Sequence, residues 1–156
     1  MQSDVERYWK QFQASLPAAA ERRQKYDWAF YFGSKRTAKG ISALVLEGTK
    51  TATGGLKWEW DRKNKRLMRP GDLSIVTDGS GHPVCIIEDT EIKVIPFDEV
   101  DDGFVHDYGE GGTLDDWRKS YWAMILAESA RTGRKPTRKA PVICERFRVV
   151  YKEAPE

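Results

Sequence analysis

The chain has 156 residues, 40% hydrophobic and 32% charged, with six Trp, six Tyr and six Phe, a composition that excludes a disordered segment and fits one globular domain. Formal net charge is only +2, and no run of about 18 apolar residues occurs, so no membrane-spanning helix is expected. MQSDVERYWKQF lacks the basic and apolar regions of an export signal, and the expected location is cytoplasmic.

Residues 4–15 place Val5, Tyr8, Trp9 and Phe12 at helical spacing and Pro17 ends the run, which predicts a helix packed on the domain. Residues 1–27 are thus read as an N-terminal helical extension to a domain over 28–151, with no repeat or Pro/Gly/Ser-rich linker dividing the chain. Ala38, Ile41, Leu44 and Val45 form a narrow apolar stripe, predicting a second helix over 35–47 with Gly48 as its left-handed cap. "GTKTAT" (48–53) is the exit from that helix. RPGD (69–72) signals a turn, and LSIVT (73–77) turns through DGSG into PVCII (83–87) as a β-hairpin.

TEIKVI (90–95) and ICERFRVVY (143–151) alternate as sheet strands, the latter with Ile143, Glu145, Phe147, Val149 and Tyr151 on one side. TLDD opens the clearest helix. Thr113 caps it with Asp116 three residues on, Leu114, Trp117, Tyr121, Met124 and Ile125 form its expected buried face, and Gly133 closes it. Strands and helices do not alternate in βαβ fashion. The predicted class is α+β, a small curled, mainly antiparallel β-barrel with flanking helices.

Charge is unevenly distributed. Residues 57–69 hold six basic and two acidic residues, 129–141 hold five basic and none acidic, and 97–116 hold eight acidic and no Lys or Arg. The two basic runs read as loops. They are either solvated surface or a nucleic-acid contact, and the second reading names Lys57, Arg62, Arg134, Lys135 and Arg138 for phosphates and Trp58 and Trp60 for stacking on bases.

No Walker loop, dinucleotide fingerprint, Gly-x-Ser-x-Gly elbow or paired-cysteine zinc motif is present. His82 and His106 are too far apart to make a metal site by spacing and are assigned to the surface, and Cys85 and Cys144, in apolar strand-like segments, are expected to be reduced and buried. What remains is Lys50, Thr53 and Glu110. A lysine acts as a base when burial lowers its pKa; Lys50 would then take the proton of the Thr53 hydroxyl, and Glu110, in the glycine-flanked run YGEGG, would handle the remaining proton transfer. The residues alone leave another reading open, in which Lys50 neutralises a helix C-terminus, Thr51 and Thr53 satisfy backbone groups, and YGEGG is a turn.

Over residues 28–151 the chain resembles the ASCH domains, a branch of the PUA-like superfamily, through "FYFG", "LVLEGTKTAT", "RPGDLSIVTDGSGHPVCIIEDTEI", "IPFDEV", "GEGGTLDDWRKSYW" and "PVICERFRVVY". The resemblance implies a small barrel with a cleft suited to RNA or nucleotides. Some relatives are metal-dependent ribonucleases on single-stranded RNA; a shorter subgroup hydrolyses the amide of acetylated cytidine with a Lys, a Thr and a Glu, roles that would fall here on Lys50, Thr53 and Glu110. The broad pattern Gly-x-Lys-x-x-Glu-x-Arg is half kept: Gly48 and Lys50 match, while Thr53 and Gly55 stand in place of Glu and Arg. Threonine is shared with the amidohydrolases, and Lys57 or Arg62 are the candidates to replace the arginine.

The sequence therefore orders three expectations: an RNA-binding ribonuclease, an amidohydrolase on a modified nucleoside, and a non-catalytic RNA-binding module. No resident cofactor is implied by spacing. A divalent ion (Mg or Mn) on Glu110 and Asp107 is the metal-dependent variant of the first.

Overall fold

The computed structural model describes residues 3–17 and 25–152. Among them, helix α1 (Asp4–Ser15) is followed by β1 (Trp28–Phe30), α2 (Ala38–Leu46), β2 (Ala52–Leu56), α3 (Lys57–Arg62), β3 (Leu73–Thr77), β4 (Pro83–Pro96), a 3₁₀ turn (Phe97–Glu99), α4 (Asp102–Tyr108), α5 (Leu114–Thr132) and β5 (Pro141–Lys152). The five strands form one sheet in the order β1-β3-β4-β5-β2, with β1 parallel to β3 and every other pairing antiparallel.

The expected curled, mainly antiparallel sheet is present as a half-barrel whose edges are β1 and β2. Its curl follows from β4 and β5, which pair along most of their length and change register between Ile86 and Ile87 and again between Asp89 and Glu91. Such bulges bend a strand and tighten its twist. The two strands expected at 83–87 and 90–95 are accordingly one bent strand, because the bulge re-aims the chain without ending it.

Alternation along the strands splits the core. Ile75 and Ile86 pack with Tyr8, Trp9 and Phe12 of α1. Their neighbours Val76, Cys85 and Ile87 face the other way and pack with Phe32, Phe147 and Val45 of α2. A third cluster joins Ala52, Leu56, Val142 and Cys144 to Phe104 and Val105 of α4 and to Trp117, Tyr121 and Ile125 of α5. Both cysteines are free and buried.

α1 begins with a capping box of Ser3 and Glu6 and is fastened by the Tyr8 hydroxyl, which donates to the Val84 carbonyl at 3.2 Å. α5 starts at the expected Thr113–Asp116 capping box and stops at Gly133, φ 76°. Its buried line runs Trp117, Tyr121, Ile125, Glu128 and Ser129. Met124, expected on that face, lies at its rim and is 38% exposed. Three further segments differ from the sequence reading: α2 begins at Ala38, the first basic run opens as helix α3, and the acidic run holds α4.

Because α1 supplies three of the six buried side chains of its cluster, it is part of the domain's core. Trp9→Ala is expected to lower unfolding free energy by about 3–5 kcal/mol, read from urea unfolding followed by circular dichroism.

Candidate active site

α2 ends in a tight exit. Gly48 is left-handed (φ 82°), and the amides of Thr49 and Lys50 both donate to the Leu44 carbonyl at 3.0 Å. Beyond it, the Thr51 amide donates to the Asp107 carbonyl at 2.8 Å, while the Thr51 carbonyl accepts from the Phe147 amide at 3.1 Å. The exit is thus bonded to the end of α4 on one side and to β5 on the other. Lys50 has nowhere to turn but inward.

Its side chain is 0% exposed. Nζ donates to the Tyr108 carbonyl at 2.9 Å, meets Glu110 Oε2 at 2.7 Å, and lies 3.6 Å from the centroid of the Tyr108 ring. Phe32 closes the far side at 5.5 Å. Burial draws the amine below the ordinary lysine value of 10.5, while Glu110 and then Glu145 pull the other way. The direction is what a general base requires.

Glu110 reaches Lys50 because α4 ends at Gly109 in the left-handed conformation (φ 66°). A Cβ on Gly109 would stand 2.2 Å from the Thr49 carbonyl oxygen, so the loop can pass the α2 exit only as glycine. Thr53 lies on β2, half-buried. Its hydroxyl stands beside the Tyr108 phenol, which meets the Tyr121 hydroxyl at 3.4 Å. Tyr108 therefore touches both Lys50 and Thr53, through its carbonyl and ring on one side and its phenol on the other. Beside this group a groove of about 490 Å³ is lined by Gly48, Thr49, Val105, His106, Gly109, Gly111 and Gly112.

Three more charged residues stand near this group that sequence spacing did not single out. Arg146, paired in register with Ala52, binds Asp107 at 3.1 Å and Glu91 at 3.2 Å. Glu145, in register with Thr53, and Asp89 at the β4 bulge are both buried. A signal existed for Glu145: it shares a strand face with Ile143 and Phe147, an unusual place for a carboxylate.

The residues expected to bind nucleic acid lie elsewhere. α3 begins where β2 ends, so the length of that five-residue strand, roughly 17 Å at about 3.4 Å per residue, lies between it and the Lys50 exit. There Lys57 is paired with Asp61, and Arg62 is paired with Glu128 of α5, so neither takes the place of the arginine missing at position 55. Trp60 occupies that space: a Cβ on Gly55 would lie 3.3 Å from its ring. Trp58 carries the Arg134 guanidinium at 4.6 Å, and Arg138 lies 4.2 Å from the centroid of Trp122. Lys135 is exposed beside Arg134.

His82 and His106 have side chains 66% and 90% exposed. No group of three His, Cys, Asp or Glu among the described residues is arranged to hold a metal. Glu110 is engaged by Lys50 and Asp107 by Arg146, so the two carboxylates singled out for a divalent ion do not fit one without breaking both ion pairs. No helix among the described residues is long and apolar enough to cross a membrane.

The ASCH domain profile matches residues 28–151, and the chain belongs to that family. It is similar to the crystal structure of an ASCH domain from Lactobacillus crispatus JV V101, with 26% identity and a TM-score of 0.84 over 97% of this chain and 96% of that one. A protein from Enterococcus faecalis V583, also known as a crystal structure, is 25% identical with a TM-score of 0.81, covering 96% of this chain and 90% of that one. A search of curated proteins finds no match. The fold is that of the PUA-like α+β half-barrels, and the family is associated with RNA binding.

Gly109→Ala should cost at least about 1 kcal/mol of stability and loosen the loop over Lys50. Amine acylation followed by peptide mass spectrometry should then label Lys50 in the variant and spare it in the parent protein.

Proposed function

We propose that this ASCH domain is a hydrolase in which Thr53 is the nucleophile, Lys50 its base and Glu110 the acid for the leaving group, acting on the exocyclic amide of an acylated cytidine. The observation that carries this reading is the fully buried Lys50 amine, held 2.7 Å from Glu110 and joined to Thr53 through Tyr108. A lysine with no exposed surface is poorly placed to clamp a phosphate chain but well placed to take a proton from a neighbouring hydroxyl.

The steps follow from these positions. Glu110, on its glycine-flanked loop and 29% exposed, turns from Lys50 toward the substrate, and the amine loses the partner that favours its charged form. Thr53 Oγ1 then attacks the amide carbonyl carbon, its proton passing to Lys50 Nζ. The C–N bond breaks as Glu110, carrying the proton that Lys50 gave up when the ion pair separated, supplies it to the departing cytosine amine. Water cleaves the acyl-threonine ester and restores the hydroxyl.

A second reading, cleavage of single-stranded RNA, is favoured by one observation: Arg134 and Arg138 lie over the rings of Trp58 and Trp122, at 4.6 and 4.2 Å from their centroids, and pair with no carboxylate among the described residues. Guanidinium groups fixed in this way suit phosphates. The first basic run offers less support, since Lys57, Arg62, Lys63 and Arg66 are already paired with acidic side chains.

Purified protein should deacetylate N4-acetylcytidine in the presence of a chelator. Thr53→Ala and Lys50→Met should each lower kcat/KM at least about a thousandfold, and Lys50→Met should also lower the melting temperature, because Glu110 and the Tyr108 carbonyl lose their buried donor. A Thr53→Ala protein with full activity would overturn the assignment, and RNA cleavage lost in Lys50→Met without any deacetylation would establish the second reading. The amine acts only after losing its proton, so the rate should rise with pH through a midpoint below the ordinary lysine value of 10.5. If RNA binds, Arg134→Ala combined with Arg138→Ala should flatten the slope of log K against log salt by about 1.4, two single-strand phosphate contacts at roughly 0.7 each.

A further inference from the structure

Behind Lys50 the half-barrel contains two carboxyl groups that the reaction above does not use. Glu145 of β5 is 5% exposed and Asp89 of β4 is 2% exposed. Among the described residues no N–H or hydroxyl donates to either oxygen of the Asp89 carboxyl. Asp89 stands in register with Phe147, and Glu145, two residues back along β5 on the same strand face, is the carboxyl beside it. Two ionised carboxylates have only acceptors and repel, so a buried pair on one strand face is satisfied when one proton is held between them. Around Glu145 stand Asp89, Asp72 and Lys50; around Asp89 stand Glu145, Asp72, Asp27 and Arg66. The cations on either side are both engaged: Arg66 binds Asp72 at 2.8 Å, and Lys50 binds Glu110.

We propose that Asp89 and Glu145 form a proton-sharing carboxyl pair, with the proton on Glu145, and that Glu145 is thereby a positioning residue for Lys50. A protonated Glu145 places no charge beside the amine. The protonation of Lys50 then answers to Glu110 alone: it is a cation while Glu110 is in place and a free base once Glu110 turns away. An ionised Glu145 would hold Lys50 charged throughout. Burial, reinforced by the neighbouring Asp89, pushes the Glu145 carboxyl far above the usual carboxylate range, in agreement with this arrangement. The catalytic consequence rests on the role proposed for Lys50, whereas the proton itself is measurable without substrate, so the two can fail separately.

The test has two substrate-free readouts. Infrared difference spectroscopy of the whole protein at pH 7 should show the C=O stretch of a protonated carboxylic acid, lost in Glu145→Gln. Glutamine preserves the arrangement, because its amide donates to Asp89 as the protonated acid does. Asp89→Asn does the reverse: the amide introduced on β4 becomes the donor, and Glu145 ionises beside Lys50. Followed by ¹³Cε NMR, the Lys50 titration should therefore be unmoved by Glu145→Gln and shifted to higher pH by Asp89→Asn. A merely structural pair would not produce this asymmetry. Absence of the acid band in the parent protein, or a downward shift of Lys50 in Glu145→Gln, would overturn the proposal. Both readings need only the Glu145→Gln protein, so they hold even if Asp89→Asn does not fold.

Discussion

Burial of one ammonium group constrains the rest of this site. A charge removed from water costs several kcal/mol unless its partners are fixed around it. Lys50 meets that requirement with a carbonyl, an aromatic face and a carboxylate, all from residues 108–110. Those partners must then be held in turn. Asp101 caps α4 by accepting from the Phe104 amide at 3.0 Å, Arg146 grips Asp107, and the Thr51 amide bonds the Asp107 carbonyl. Three segments far apart in the chain, 48–53, 107–110 and 145–147, thereby become one rigid unit.

The same need for partners governs the basic runs. Of the cations between 57 and 66, most are paired within α3 or with residues of neighbouring elements, and the tryptophans among them serve as packing surfaces. The second run is different. Arg134 and Arg138 lie on Trp58 and Trp122, and cation–π contact holds a guanidinium in place without neutralising it. A surface that looked uniformly basic along the chain is therefore divided into a neutralised half and an available half. The available half lies near the far end of β2 from Lys50, a strand's length away.

The family profile begins at residue 28, yet the two solved relatives cover 96% and 97% of this chain. Their likeness thus extends into α1. The core explains why: Tyr8, Trp9 and Phe12 close the face of β3 and β4 that α2 and α5 leave open, and without them Leu73, Ile75 and Ile86 would meet solvent.

Local patterns decided much of this protein in advance. The capping box at Thr113, the apolar stripes of α1 and α2, the left-handed glycine at 48, the β3–β4 hairpin and the strands over 90–95 and 143–151 are short-range effects, and each is present at or near its expected residues. The Lys50–Glu110 contact of the candidate site was legible in the family pattern of "GTKTAT" and "YGEGG". Other features were beyond local pattern. β2 was unreadable because Ala52–Leu56 contains two glycines and no alternation, and it is a strand because β5 pairs with it. Trp60, not another cation, fills the space at Gly55, since α3 folds back over β2. Arg146, Glu145 and Asp89 enter the site from strands whose proximity is fixed only by sheet register, and Tyr108 from the end of α4. Periodicity reports which face a residue occupies; only the closed tertiary structure determines which charges share that face, and a buried charge is defined by its partners.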